Sequence, residues 1–222
     1  GHAHRLIPAG ASFGWPCARE PLGRTALFHR IPDAVSARMR ELEQMDSTER
    51  REDTAHFERL RQVPAETGRF LAVAAAAAPE GAYIEIGTSG GYSGLWISLA
   101  CRELGRPLTT FELAEPKVAL ATETFRKAGV DDLITIVPGD AREHIGGHRG
   151  VAFCFLDTEK ELYEECYEAV VPNMVSGGIL VADNVISHAG DLSGFLDRAE
   201  NDERVDSLVV PVGSGVLLAR RS

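Results

Sequence analysis

The sequence predicts an α/β fold: a mostly parallel, seven-stranded sheet with helices on both faces and an antiparallel hairpin at its carboxyl end. From Ala82 onward, short apolar runs alternate with amphipathic stretches, a rhythm typical of βαβ units in a parallel sheet. The run 151–156 is apolar throughout, as expected of a strand buried on both faces. The last two apolar runs are separated only by residues 211–214, which leaves no room for a helix and predicts a hairpin.

The remaining elements follow from the same patterns. The predicted strands cover residues 82–86, 108–112, 133–137, 151–157, 178–183, 207–210 and 215–219, and the predicted helices between them cover 92–104, 115–128, 159–171 and 191–200. Upstream, helical spacing predicts two helices between residues 31 and 61, interrupted at Asp46-Ser47-Thr48, and a third at 65–78. We expect residues 31–222 to form one domain. Residues 1–30 form an arm that either covers a pocket, docks on a second subunit or is disordered.

Composition narrows the class of protein. A chain of 222 residues allows one large domain or at most two small ones. A net charge of -10 repels polyanions, which disfavours nucleic-acid binding. The four cysteines form no C-x-x-C pair, which is the pattern of a reduced cytosolic protein. Because no apolar run approaches the length of about 20 residues that a membrane span needs, and no signal peptide is visible, we expect a cytoplasmic protein without a membrane partner.

A glycine-rich loop follows the first predicted strand and leads into a helix. Glycines let the backbone approach a ligand, and the helix start offers free N–H groups. Gly87 and Gly91 have the spacing G-x-x-x-G, which differs from the dinucleotide fingerprint and disfavours an NAD-dependent oxidoreductase. Glu112 ends the next strand, where a carboxylate accepts hydrogen bonds from a ribose, and Asp140 follows the third strand. We favour a nucleoside-type ligand over the alternative that Glu85 and Glu112 are solvated strand ends.

Two acidic motifs follow two later strands, residues 157–160 and residues 183–184. Ligands of open α/β sheets bind outside the carboxyl ends of the strands, so we expect Asp157, Lys160, Asp183 and Asn184 to converge. Carboxylate and amide oxygens suit a hard cation such as Mg²⁺ or Ca²⁺, and the absence of His or Cys clusters argues against zinc. The alternative is a helix start and a local turn. We favour a metal site because both motifs stand at strand ends downstream of the glycine loop.

Several short motifs occur in a fixed order over about residues 63–220. They are a glycine loop from Glu85 to Ser93, the pair Phe111-Glu112, Asp157-x-x-Lys160 followed by Tyr163, the run from Gly177-Gly178 through Leu180 to Asp183-Asn184, and a closing segment that starts at Pro211. In this order and spacing the chain resembles the cation-dependent O-methyltransferases, the group that includes catechol and caffeoyl-CoA O-methyltransferases. The resemblance implies the Rossmann-like fold of class I methyltransferases.

The resemblance also implies the ligands and the residues that hold them. The methyl donor would be S-adenosylmethionine, the metal Mg²⁺ or alternatively Ca²⁺ or Mn²⁺, and the acceptor a hydroxyl of a catechol-like small molecule. Asp157, Asp183 and Asn184 would be the metal ligands, and Lys160 the catalytic residue. The implied assembly is a homodimer. The positions that would contact the donor are Val63, Glu85, Gly87, Gly91, Ser93, Glu112, Asp140, Ala141 and Asp157.

The implied chemistry explains these residue types. A phenol is mostly protonated at neutral pH, and chelation of a vicinal diol by a cation lowers its pKa. Lys160 would then take the proton or stabilise the anion. Two alternatives stay open: a metal-independent methyltransferase of the same fold, and a non-catalytic module that binds S-adenosylmethionine.

The sequence departs from the family around the acceptor. Glu159 stands where many relatives have Asp, and no tryptophan lies near Lys160, so we expect a different and more open pocket wall. Some relatives carry a late carboxylate for the second hydroxyl, for which Asp206 and Glu203 are weak candidates. His188 either borders the acceptor pocket or, as we favour, is a surface histidine.

Overall fold

One seven-stranded sheet dominates the computed structural model, which describes residues 27–52 and 59–222. Its strand order is β3-β2-β1-β4-β5-β7-β6, with β1 to β5 parallel and β7 antiparallel to both neighbours. The predicted sheet and its closing hairpin are therefore confirmed. The strands are β1 (Ala82–Ile86), β2 (Leu108–Glu112), β3 (Ile134–Pro138), β4 (Val151–Leu156), β5 (Met174–Ala182), β6 (Val205–Val210) and β7 (Val216–Arg221).

Helices cover both faces of the sheet, as predicted. Those on one face are α1 (Asp33–Arg51), α2 (Ala65–Ala77), α3 (Tyr92–Leu104) and α4 (Glu115–Ala128), and those on the other are α5 (Ala141–Ile145), α6 (Tyr163–Val170) and α7 (Ser193–Glu200). The buried strand β4 separates the two layers, because successive side chains of a strand point to opposite faces. Phe153 and Phe155 join the first layer, and Cys154 and Leu156 the second.

The predicted break in the first helical stretch is wrong, because α1 is continuous through Asp46, Ser47 and Thr48. Such residues weaken a helix when their side chains bond to non-helical backbone, but here they bond within it. Thr48 donates its hydroxyl to the Gln44 carbonyl (2.9 Å), and Asp46 pairs with Arg50 one turn later (2.7 Å). The local hydrogen bonds of these polar side chains thus support the helix.

Three smaller differences concern the bounds of helices and strands. The short helix α5 was not predicted; Asp140 caps it by accepting the Arg142 N–H (2.9 Å). The helix predicted at 159–171 begins instead as a 3₁₀ turn, Lys160–Leu162, and ends in another, Val171–Asn173. β5 starts four residues earlier than predicted, at Met174 instead of 178. The proposed arm lies almost wholly outside the described residues. Within them, no helix has the length and apolarity to cross a membrane.

Candidate active site

The carboxyl ends of the parallel strands open onto a cavity of about 820 Å³. Residues that are far apart in the sequence line it together, because the loops that follow parallel strands all lie at the same edge of the sheet. The predicted site residues that line the cavity are Val63, Gly87, Glu112, Asp140, Ala141, Asp157, Lys160, Asp183 and Asn184. Ser93 borders a much smaller adjoining cavity, together with Gly87 and Asp157. Glu85 and Gly91 line neither.

The glycine loop has the backbone that its residues permit. Gly87 has φ +99°, and a Cβ at this position would overlap the carbonyl oxygen of Asp157. Gly91 starts α3 in a left-handed conformation, φ +88°, with Phe125 directly beneath it. Only glycine reaches these conformations at low cost. Gly87 therefore brings the loop into direct contact with the first acidic motif, while Gly91 serves packing rather than the predicted donor contact.

Glu112 is held in a fixed orientation at the cavity wall. Its two carboxylate oxygens accept the backbone N–H groups of Ser89 (2.8 Å) and Ala114 (2.9 Å). One of these groups belongs to the glycine loop and the other precedes α4. A carboxylate oxygen accepts more than one hydrogen bond, so Glu112 still has lone pairs for a ligand hydroxyl.

Glu85 is fully buried and not a solvated strand end. Its carboxyl accepts hydrogen bonds from Ser93 and Thr110, both at 2.6 Å, and Thr110 also bonds Thr88 at 2.6 Å. Burial raises its pKa to about 7. Because Glu85 does not reach the cavity, the structure gives it the role of holding Ser93 and the glycine loop in place of the predicted donor contact. Thr110 is its register partner on β2, a signal that strand pairing would have supplied.

The two acidic motifs converge as predicted. Asp183 is buried, and its Oδ1 has no hydrogen-bond partner among the described residues, while its Oδ2 accepts Asn184 Nδ2 at 3.1 Å. Asn184 itself has a left-handed backbone, φ +64°. Lys160 Nζ donates to Asn184 Oδ1 (2.5 Å) and lies 3.5 Å from Asp157 Oδ1. One side-chain cluster thus joins both motifs.

The electrostatics of this cluster favour a cation. Burial raises the pKa of Asp157, and burial together with the charge of Asp157 raises the pKa of Asp183 to about 7. Two carboxylates that share a partly desolvated rim repel each other, and a divalent cation would relieve that repulsion. The Oδ1 of Asp183 accepts no hydrogen bond from the described residues, so its lone pairs are available to such a cation. No group of three or more His, Cys, Asp or Glu side chains suited to a metal occurs within residues 27–52 and 59–222. The oxygen donors that a cation could meet at this rim are those of two carboxylates, Asp157 and Asp183, and of the Asn184 amide.

The Lys160 ammonium donates three hydrogen bonds, one for each of its N–H groups. Besides Asn184, its ammonium donates to the Thr158 carbonyl and the Tyr163 hydroxyl, both at 3.1 Å. The Tyr163 hydroxyl in turn donates to the Asp183 carbonyl at 3.2 Å. An ammonium has three N–H groups, so these oxygens match a protonated lysine. This arrangement suits stabilisation of an anion better than removal of a proton.

The cavity wall around Glu159 differs from the sequence-based expectation. Glu159 pairs with Arg61 at 2.6 Å, so an ion pair bridges the wall that was expected to be open. Asp206 and Glu203 do not line the cavity; Ser214, at the tip of the closing hairpin, does. His188 also lines the cavity while remaining exposed, and its Nδ1 lies 2.9 Å from the Ser187 hydroxyl. Sequence reasoning missed Arg61 and Ser214.

The sequence model of a family described as O-methyltransferase matches residues 35–222. This chain belongs to the O-methyltransferase family. The match covers most of the chain and confirms both the predicted family and the predicted enzyme class, an O-methyltransferase.

Individual relatives agree with this assignment. The chain is 31% identical to a catechol O-methyltransferase of Mycobacterium tuberculosis over 143 residues, 64% of either chain, so it spans less than two thirds of that relative. It is 28% identical to tapetum-specific methyltransferase 1 of Arabidopsis thaliana over 181 residues, covering 72% of this chain and 77% of the relative.

Solved structures confirm the fold. The SAH-bound methyltransferase PaMTH1 of Podospora anserina aligns with a TM-score of 0.73 and 21% identity, covering 86% of this chain and 89% of that one. The O-methyltransferase from Bacillus cereus in complex with SAH aligns with a TM-score of 0.68 and 22% identity, covering 84% and 91%.

Proposed function

We propose that this protein transfers the methyl group of S-adenosylmethionine to a hydroxyl of a catechol-like small molecule, with a divalent cation bound by Asp157, Asp183 and Asn184. One observation carries the proposal: a buried carboxylate, Asp183, leaves an oxygen unpartnered beside a second carboxylate at the rim of the cavity. The donor loop at Gly87 stands against that rim.

The donor is proposed to lie along the glycine loop. Glu112 would accept the ribose hydroxyls with its fixed oxygens, and Gly87 and Val63 would border the methionine end. Asp140 is occupied by Arg142, which holds its pKa below the ordinary value, so the adenine would meet the adjacent Ala141 instead. Asp140 and Ala141, the two residues predicted to lie near the adenine, thus both line the cavity, but only Ala141 would contact the adenine.

The cation, when bound, would lower the pKa of a chelated diol hydroxyl. The chain's own residues then hold the resulting oxygen anion. Lys160 offers a positive charge at the junction of both motifs, and the Tyr163 hydroxyl fixes it there. The acceptor oxygen forms a bond to the methyl carbon as the carbon–sulfur bond breaks, and the sulfonium leaves as a neutral thioether. Holding oxygen, carbon and sulfur in line is what the rigid rim supplies.

The test is methylation of catechol with S-adenosylmethionine, with Mg²⁺ or with EDTA. We expect transfer only with the metal, and loss of transfer in Asp183→Asn, which keeps the shape but removes a charge. The matched control is Asp191→Asn, an exposed aspartate that does not line the cavity. Mg²⁺ should raise the Tm of the wild type and the control but not of Asp183→Asn.

The outcomes separate the alternatives. Equal transfer by metal-free protein would support the metal-independent methyltransferase instead. Tight donor binding without transfer to any diol would support the non-catalytic module.

We also propose a cytoplasmic homodimer. The edge strand β6 exposes Leu208 and Val209, the kind of apolar surface that a second subunit covers. Cys101, Cys154 and Cys166 are free and buried, which fits a reducing compartment. Sedimentation at micromolar concentration tests the dimer; a monomer throughout would contradict it.

A further inference from the structure

Lys117 is a cation of the cavity wall for which the proposed reaction has no use. It lies in the first turn of α4, lines the cavity and is partly buried. Its ammonium forms no hydrogen bond or ion pair with any residue in the part of the chain that the structure describes. Arg50, Arg61 and Arg142 also line the cavity, but these side chains pair with carboxylates at 2.6 to 2.7 Å. A partly desolvated ammonium without such a partner is costly.

A second cation, Arg61, lines the same cavity as Lys117. Burial, and next the charge of Arg61, lower the pKa of Lys117, so the two positive groups repel each other across the cavity wall. The nearby carboxylates do not relieve this by direct pairing: Glu112 accepts two backbone N–H groups, and Glu159 pairs with Arg61. An anion placed beside Lys117 and Arg61 would compensate both.

The charges of the wall also bear on the charge of that anion. The cavity is lined by six carboxylates, Asp46, Glu112, Asp140, Asp157, Glu159 and Asp183, and by six cationic side chains, Arg50, Arg59, Arg61, Lys117, Arg142 and Lys160. Because these charges balance in number, a ligand with one negative charge matches the ammonium of Lys117, whereas a dianion such as a phosphate monoester would carry one charge more than that. Arg61 is tied by Glu159 to the acidic motif 157–160, which the proposed function assigns to the acceptor.

We propose that Lys117, together with Arg61, binds a carboxylate of the methyl acceptor, so that the enzyme acts on catechols that carry an acidic substituent. This inference rests on the proposed function. Lys117 is a residue that determines acceptor specificity, and the donor has its own contacts at the glycine loop.

The experiment compares two acceptors, catechol and 3,4-dihydroxybenzoate, which differ only by the carboxylate. We expect the wild type to have a KM about tenfold lower for the acid, the size of one hydrogen-bonded charge pair. Lys117→Met should remove that preference and leave the KM for catechol within about twofold. Lys117→Arg should keep most of it. The control is Lys127→Met, an exposed lysine on the same helix that pairs with Glu123 at 2.8 Å.

Calorimetric titration of SAH into each variant separates the two ligands that could supply a carboxylate. The proposal is overturned if Lys117→Met still prefers the acid as the wild type does. If that variant keeps the preference for the acid but binds SAH more weakly, Lys117 contacts the donor instead. If the wild type methylates neither acceptor, the proposed function fails. Binding of 3,4-dihydroxybenzoate and of catechol to the SAH-saturated protein then still tests the proposed carboxylate site at Lys117. Tighter binding of the acid that Lys117→Met removes supports this site, and equal binding of the two compounds refutes it.

Discussion

Replacement of the buried Glu85 by Gln should change how the stability of this protein depends on pH. The carboxyl is completely inaccessible, and burial raises its pKa from an ordinary value of 4.5 to about 7. Between these two values the unfolded chain releases the proton while the folded chain keeps it. The folded state therefore binds more protons, and its stability falls as the pH rises through this window. Above pH 7 both states are ionised and the loss is complete.

The size of the effect follows from the same two values. A tenfold change in an equilibrium constant is about 1.4 kcal/mol, so a rise from 4.5 to about 7 corresponds to about 3 kcal/mol of unfolding free energy. Glu85→Gln cannot ionise and should lose this dependence. The amide oxygen still accepts a hydrogen bond, so Ser93 and Thr110 keep a partner for at least one hydroxyl.

Urea unfolding at a series of pH values from 4.5 to 7.5, in EDTA, measures the difference. The free energy of unfolding of Glu85→Gln, relative to wild type, should rise by about 3 kcal/mol across the series. Glu103→Gln, an exposed glutamate on α3, serves as the control and should show no such trend. Parallel curves for Glu85→Gln and the wild type would refute the reasoning, since the carboxyl would then ionise alike in both states.

Three further substitutions test other parts of the site. Glu112→Gln should weaken SAH binding in calorimetry about tenfold or more, because a charged acceptor is lost; unchanged affinity would remove its role at the ribose. Lys160→Met should lower kcat by about a hundredfold or more with little change in the Kd for SAH, and normal turnover would exclude it from the reaction. Gly87→Ala should destabilise the fold by more than about 3 kcal/mol in urea unfolding, since its Cβ overlaps Asp157 at a positive φ, whereas Gly146→Ala, with open space around it, should cost little. Similar losses in both glycine variants would contradict the steric argument.

The sheet was predictable because its signals are local. Buried parallel strands leave short runs rich in apolar and β-branched residues, and all five were predicted within a few residues of their observed positions. The helix break at Asp46 failed for the opposite reason: the residue types are ambiguous, and the choice between breaking and supporting a helix depends on which backbone group the side chain bonds.

The residues of the candidate site also fall into those that the sequence predicts and those that it does not. Asp157 and Asp183 were predictable because each directly follows a strand, and Glu112 because it ends one; the parallel topology brings these strand ends together. Arg61 pairs with a residue 98 positions away, so no pattern in the sequence announces the contact. Glu85 was predicted to contact the donor because of its position in a motif, but β1 is buried on both faces, so its side chain lies in the core with Ser93 and Thr110.

The close approach of Gly87 to the Asp157 carbonyl joins the glycine loop, which we propose to hold the donor, to the rim that we propose to bind the cation. Asp157 N–H also bonds the Ile86 carbonyl (2.9 Å), and Asp183 N–H bonds the Leu156 carbonyl (3.0 Å), so three strands share the seam. A ligand that stiffens one side of this seam leaves less freedom to lose on the other, and such coupling is reciprocal. We expect SAH to tighten Mg²⁺ binding by the same factor as Mg²⁺ tightens SAH binding; two independent affinities in calorimetry would show the sides to be uncoupled. The two ligands would then bind cooperatively in either order, through the backbone that they share.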